Sequence, residues 1–380
     1  MRGFAEQHEL AEALTDLCER CVTPDYVKRC DEAEAYPEEA MSEIAAAGWA
    51  GLPVPESYGG AGGSARDLAV AHRVLARHGL AVAQAYYSLW VLSANAIGGL
   101  GSDRQKAEWL PPLAEGKLRI AFALTEPESG SDAAALRTTA RRSGDGFFVN
   151  GQKLFITGAT VADLIITVVR TDPDPADRRD GLSLLVIDAD AAGISVRSLS
   201  KLGLRALDLS EVFLTDVKVP VGRLLGPLDH GWSSLRQQLS LERALLAAIC
   251  VGAMEDVLAA ASGYAKERAA FGQPISRFQL VADKLVSMRV AIEAAGLLVE
   301  SAAAAIDAGT SGEVEAAAAK LYAAEAYVSA AREGVQVLGG YGYTNEYAVE
   351  RHYRDAKYME IGGGTSEIQK VIIARSMGLM

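Results

Sequence analysis

Apolar residues recur at three- and four-residue spacing from Phe4 to about Leu113, a period that places them on one face of successive α-helices. Pro24, Pro37 and the stretch from Pro53 to Gly63 interrupt the pattern, so this region reads as several helices rather than one. Between about Arg119 and Pro220 the texture changes to short β-branched runs separated by Gly, Asp and Pro. Gly146–Asn150, Leu164–Arg170, Leu182–Ile187 and Glu211–Leu214 are examples. From about Gly231 the helical period returns in long Ala- and Leu-rich segments: Ser233 to Tyr264, Phe278 to Ala308, Val314 to Leu338, and a last one after Gly364. Long helices of this kind pack as a bundle. The pattern therefore predicts an α+β fold that is mainly α, with residues 1–118 helical, 119–222 a β region and 223–380 a helical bundle. Strand–helix–strand alternation is missing, which disfavours a doubly wound sheet.

Composition narrows the function. A chain of 380 residues, 50% of them apolar, can bury a large core. Its formal net charge of −12 disfavours nucleic acid or an anionic membrane as the main partner, since either needs a basic face. A small molecule or a basic patch on another protein fits better. No apolar run approaches the roughly 20 residues that span a bilayer, and the first twenty residues carry charges where a signal peptide is apolar. The expected location is cytoplasmic. Cys18, Cys21, Cys30 and Cys250 are too few and too unevenly spaced for a disulfide framework. Cys18 and Cys21 form a CxxC with no histidine nearby, which reads as two ordinary thiols, so no metal site is expected.

Two stretches carry chemistry. Ala123 to Asp132 (ALTEPESGSD) lies where helical texture gives way to β texture, and combines hydroxyls, a permissive Gly130 and exposed amide donors suited to a polar ring edge or a phosphate. Alone, it equally describes a polar turn. Gln336 to Tyr343 (QVLGGYGY), followed by Glu346, Arg351 and Asp355, places its glycines after a helix and not after a strand. The dinucleotide fingerprint therefore does not apply, and a helix C-cap is the plain alternative.

Together these stretches resemble, position by position, the paired signatures of the acyl-CoA dehydrogenases. The resemblance continues in Gly51–Gly60 (GLPVPESYGG), Lys153–Ala159 (KLFITGA), Lys201–Arg205 (KLGLR), Arg268–Gly272 (RAAFG) and Gly364–Gln369 (GTSEIQ). It implies a helical domain, a β-barrel and a four-helix bundle, assembled as homodimers or homotetramers with FAD at the subunit interface. By motif, Thr125 and Thr157 are expected to bond the flavin ring, Phe155 to pack on it where many members have Trp, and Ser131 to reach the pyrophosphate. Arg268, Phe271, Gln279, Gln336, Gly339 and Gly340 are expected on the FAD of a neighbouring subunit, and Thr365 with Glu367 at its adenosine end. Arg268 suits phosphate, because a guanidinium makes forked contacts.

One departure concerns catalysis. The family reaction removes a proton beside a thioester carbonyl, and most members carry a Glu just before the last Gly-Thr. Here that place is Gly363, in Glu360–Thr365 (EIGGGT). Some members place the base on the first long C-terminal helix, where Leu239–Arg243 (LSLER) offers Glu242; Glu360 is a weaker second candidate. Leu207 and Leu209 also depart, standing where small hydroxyl residues are common. Tyr86, Tyr87 and Trp90 are expected to shorten the acyl pocket, with Arg243 beside the substrate, favouring a short or polar acyl group.

The chain as a whole looks most like acyl dehydrogenases of polyketide methoxymalonyl-type extender-unit pathways. That resemblance implies a glyceryl- or hydroxymalonyl-type group on acyl carrier protein. An ordinary short- or branched-chain acyl-CoA dehydrogenase, a flavin monooxygenase or oxidase on the same fold, and an inactive scaffold stay open. The electron acceptor is expected to be an electron-transfer flavoprotein or oxygen.

Overall fold

The structure, a computed structural model, describes residues 4–380, so residues 1–3 of the expected helical region lie outside the described residues. The chain opens with α1 (Phe4–Cys21), α2 (Pro24–Glu32), α3 (Glu38–Ala46) and α4 (Ala65–His78). A nearly continuous helical rod follows, made of α5 (Leu80–Tyr86), a π-helical turn (Tyr87–Val91) and α6 (Leu92–Leu100), and then α7 (Asp103–Ala114). The starts are encoded locally. Ser64 and Ser102 each accept from the backbone N–H three residues on, while Asp67 and Gln105 reach back to the Ser N–H, forming capping boxes.

The strands β1 (Ile120–Ala123), β2 (Thr139–Ser143), β3 (Gly146–Thr157), β4 (Leu164–Arg170), β5 (Leu182–Asp188), β6 (Ile194–Ser198), β7 (Leu209–Pro220) and β8 (Leu224–Leu225) build one sheet. Its order is β6-β7-β3-β2-β4-β5-β8, with β1 paired in parallel to β4. β4 and β5 are buried almost throughout, which explains why their sequences are mainly apolar, with Thr167 and Ser183 the buried polar residues within them. The register of β3 against β7 slips between Lys153 and Ile156, a bulge that becomes important at the cavity.

The third part comprises α8 (Gly231–Glu267), a small hairpin of β9 (Ala269–Ala270) and β10 (Gln273–Pro274), then α9 (Gln279–Asp307), α10 (Glu313–Leu338), α11 (Val349–Met359) and α12 (Ser366–Ser376). α8, α9 and α10 pack on one another, α12 lies along α10, and α4 lies along α8. Gly252 makes that last contact close, since a Cβ there would come 2.0 Å from the Arg73 carbonyl oxygen. The N-terminal helices are thereby fastened to the bundle. α8 corrects one sequence expectation: it is long and apolar enough to cross a membrane, with 72% of its most apolar window buried within the fold. Its apolarity faces neighbouring helices.

Candidate active site

Between the sheet and the bundle lies a cavity of about 920 Å³. The bulge in β3 shapes one wall. Lys153 turns inward and is fully buried, where its Nζ donates to the Leu124 carbonyl oxygen at 3.0 Å and to Glu126 Oε1 at 2.7 Å. Glu126 also accepts from the backbone N–H groups of Arg137 (2.6 Å) and Thr138 (3.0 Å). Burial brings the Lys153 amine down to about 8. Burial acts to raise the Glu126 carboxyl, but the Lys153 charge and these donors carry it below the usual range. The pair pins the loop after β1 to the bulge, as does the Leu154 N–H, which donates to the Thr125 carbonyl oxygen at 2.8 Å.

Two residues further along, Phe155 takes a left-handed φ of +60°, unusual for a bulky residue, and its ring is 55% exposed on the cavity wall. Thr125, Ser131 and Thr157 line the same cavity. An exposed aromatic face, hydroxyls at its edge and the open backbone at Gly130, where a Cβ would meet nothing within 4 Å, fit a flat, hydrogen-bonding heterocycle with a phosphate tail.

The opposite wall comes from α8 and from the turn between α11 and α12. Glu242 lines the cavity, half-buried, with its carboxyl oxygen 3.5 Å from the point where a Cβ on Gly363 would stand. Burial holds the Glu242 carboxyl above the usual carboxylate range, against the pull of Arg243, Tyr87 and Lys320. The turn is held from below by buried groups: Lys320 Nζ donates to the Gly364 carbonyl oxygen at 2.6 Å, and Gln369 Nε2 to the carbonyl oxygens of Gly363 (3.2 Å) and Gly364 (2.8 Å). Burial lowers the Lys320 amine to about 8.

The expected acyl-pocket residues separate. Tyr87 and Arg243 line the cavity, whereas Tyr86 and Trp90 do not. Tyr86 is fully buried, donates to the Trp49 carbonyl oxygen at 2.9 Å and meets Trp90 edge to face, so both belong to the helical core. Residues 86 and 90 share a face that turns away from the one carrying residue 87. Glu360 pairs with Lys357 at 2.5 Å and does not line the cavity.

The remaining expected cofactor residues lie elsewhere. Arg268, Gly339 and Gly340 line a separate cavity of about 490 Å³ beside Tyr264 and Tyr341. Phe271, at φ +52°, is 96% exposed, and Gln279 and Gln336 are also exposed. Thr365 caps α12, accepting from the Ile368 N–H at 3.3 Å, and Glu367 is exposed on its first turn. The four cysteines are free, and no group of metal-ligating side chains occurs among the described residues.

Sequence reasoning missed Gln84, Lys320 and Tyr358. Lys320 had a readable signal, a lone charge between Ala316–Ala319 and Ala323–Ala324 in an apolar helix, and Gln84 had a similar one as the single amide in Leu80–Ala85. Tyr358 had none.

Profiles for the N-terminal, middle and C-terminal domains of acyl-CoA dehydrogenase match residues 5–117, 121–217 and 229–378 respectively. A curated relative is the caffeyl-CoA reductase–Etf complex subunit CarC of Acetobacterium woodii, 35% identical over 98% of each chain. Among solved structures, butyryl-CoA dehydrogenase of Megasphaera elsdenii superposes with a TM-score of 0.94 at 33% identity over 99% of each chain. The prolyl acyl carrier protein oxidase AnaB does so with a TM-score of 0.94 at 31% identity over 100% of each chain.

Proposed function

The chain belongs to the acyl-CoA dehydrogenase family, and on that premise we propose that it oxidises a small hydroxyacyl thioester, of glyceryl or hydroxymalonyl type, carried on acyl carrier protein for polyketide extender-unit synthesis. It is an FAD-dependent oxidoreductase of acyl thioesters. When bound, FAD supplies a hydride acceptor. Thr125, Thr157 and Phe155 would hold its ring and Ser131 its pyrophosphate, while Arg268, Phe271, Gln279, Gln336, Gly339, Gly340, Thr365 and Glu367 would serve the cofactor across a subunit boundary.

The observation that carries the catalytic reading is the position of Glu242. Its carboxylate lies against the space left by Gly363, facing the same cavity as Phe155 and Thr157. Glu242 takes the proton that the substrate releases, from the α-carbon in a desaturation or from the hydroxyl in an alcohol oxidation. A raised pKa brings a carboxylate closer to the basicity that proton transfer near neutral pH requires. Lys320 and Gln369 fix the glycine turn so that the vacant place stays open beside the base.

Support for a carrier-protein substrate comes from the likeness to AnaB, a prolyl acyl carrier protein oxidase. Support for an electron-transfer flavoprotein as acceptor comes from the likeness to CarC, a subunit of an Etf complex. A homo-oligomer is favoured by α9, where Val286, Val290 and Leu297 expose an apolar stripe at helical spacing that a second copy would cover.

The test is anaerobic incubation of the FAD-loaded protein with matched glyceryl and propionyl thioesters, each on coenzyme A and on acyl carrier protein. Bleaching of the flavin by the glyceryl carrier-protein ester is expected. Bleaching only by unsubstituted coenzyme A esters would overturn the substrate assignment in favour of an ordinary short-chain acyl-CoA dehydrogenase.

A further inference from the structure

Beside Glu242 the cavity wall is polar in a way that the proton transfer does not use. Gln84, 2% exposed, donates through Nε2 to Ser88 Oγ at 3.2 Å and makes a longer contact of 3.5 Å with the Tyr358 hydroxyl. Its Oε1 is buried with no partner among the described residues, whereas the buried Tyr87 hydroxyl lies within hydrogen-bonding reach of the Glu242 carboxylate. The Tyr358 hydroxyl lies beside Thr157 and also feels Glu242. All four side chains, Gln84, Tyr87, Ser88 and Tyr358, line the main cavity.

The glycine turn makes room for this arrangement. A Cβ on Gly362 would come 2.7 Å from Cζ of Tyr358 and 2.9 Å from its hydroxyl oxygen. The Tyr358 ring therefore occupies the space that a side chain at position 362 would need. A phenol is brought to the cavity where an aliphatic side chain on the turn would have made the wall apolar.

Buried polar atoms without partners cost free energy unless a ligand satisfies them. Here the wall offers one acceptor, Gln84 Oε1, and one hydroxyl, that of Tyr358, which accepts from Gln84 and can still donate, with the Tyr87 hydroxyl held on Glu242 beside them. The complement of that set is an alcohol, which donates once and accepts once. We propose that Gln84 and Tyr358 form a subsite that binds a hydroxyl substituent of the acyl group and so set the enzyme's preference for hydroxyacyl over plain acyl thioesters. This rests on the hydroxyacyl reading above and names the residues that impose it.

The experiment is calorimetric titration of the FAD-loaded Glu242→Gln protein, in which turnover is suppressed, with glyceryl-coenzyme A and propionyl-coenzyme A. The same titrations are run with Tyr358→Phe and Gln84→Met added singly, keeping only variants that retain FAD and unfold cooperatively. The Glu242→Gln protein should bind the glyceryl ester at least tenfold more tightly than the propionyl ester. Each added substitution should shrink that ratio about five- to tenfold while leaving propionyl affinity within about twofold, the scale of one lost hydrogen bond. A strong glyceryl preference that survives both substitutions would refute the subsite and leave the hydroxyacyl reading standing. No preference in the Glu242→Gln protein itself overturns that reading and the subsite with it.

Discussion

The Glu242 carboxyl oxygen stands 3.5 Å from the place a Cβ on Gly363 would occupy, so the residue that offers a base and the position that lacks one face the same point. Glu242→Gln should lower turnover by about 10²- to 10⁴-fold, the usual contribution of a general base, with FAD still bound. Turnover within about threefold of the parent would remove Glu242 from the mechanism. Restoring a glutamate at the glycine should not rescue that variant, because a Cβ at Gly363 would meet Leu246 Cδ1 at 2.3 Å and the backbone there has φ +65°. Gly363→Glu alone should therefore destabilise the fold by roughly 1–2 kcal/mol, mainly from left-handed strain, since Leu246 Cδ1 is the end of a flexible side chain that can move aside. Denaturant titration of the variant checks this.

The pH profile should report the burial of Glu242. The carboxyl is held above its ordinary value of 4.5, and only the deprotonated form accepts a proton. The rate therefore falls as pH drops through a value higher than that of an exposed glutamate. The Lys320 cation opposes this rise, so Lys320→Met should move the acidic limb of kcat/KM to still higher pH. A limb that stays in place, or moves down, would show that Lys320 does not act on the base.

Glu126 and Lys153 hold together the two segments that present Thr125 and Phe155. Lys153→Met leaves a buried carboxylate with its backbone donors but no cation, a change that costs on the order of 3–5 kcal/mol. Thermal unfolding should show that loss, and FAD affinity should weaken in the variant because the bulge is no longer tied to the loop after β1. Adding Glu126→Gln should recover part of the stability by removing the unpaired charge. Full FAD affinity in Lys153→Met would separate the pair from the cofactor site.

How far the sequence could be read depended on which residues were near one another along it. The helical and β textures were visible because burial on one face imposes a period, and the capping boxes at Ser64 and Ser102 mark helix starts within four residues. Glu242 stood out because Gly363 vacates a position within a recognisable motif. The acyl pocket was harder to read, because Tyr86, Tyr87 and Trp90 are close in sequence while the helix, with its π turn, sends Tyr86 and Trp90 into the core. The contact between Gln84 and Tyr358 spans 274 positions and leaves no local pattern. The length of α8 was legible, from Ser233 to Tyr264, but its apolarity was underestimated because scattered charged residues, among them Glu242, Arg243 and Glu255, break its apolar runs without preventing its burial.

Asp355 provides a stability test away from the cavity. It is buried at 3% exposure, and its Oδ1 accepts from the Leu204 N–H at 2.5 Å, tying α11 to the loop before β7. Burial, helped by Asp31, raises its carboxyl from 3.8 to about 6 despite that hydrogen bond and the charges of His352 and Arg351. A folded pKa above the unfolded one means that the folded state binds more protons within this window. Stability from this group is therefore full below about 4, declines as pH rises to about 6, and stays reduced above it. Asp355→Asn keeps an oxygen to accept the Leu204 N–H and cannot ionise. Its stability relative to the parent should accordingly increase by about 3 kcal/mol between these limits, since a tenfold difference in proton affinity between the folded and unfolded states corresponds to about 1.4 kcal/mol. Comparing the two proteins by urea titration across that range isolates Asp355 from the other carboxylates, which titrate in both. A stability difference that does not change with pH would mean that Asp355 is not held protonated by burial.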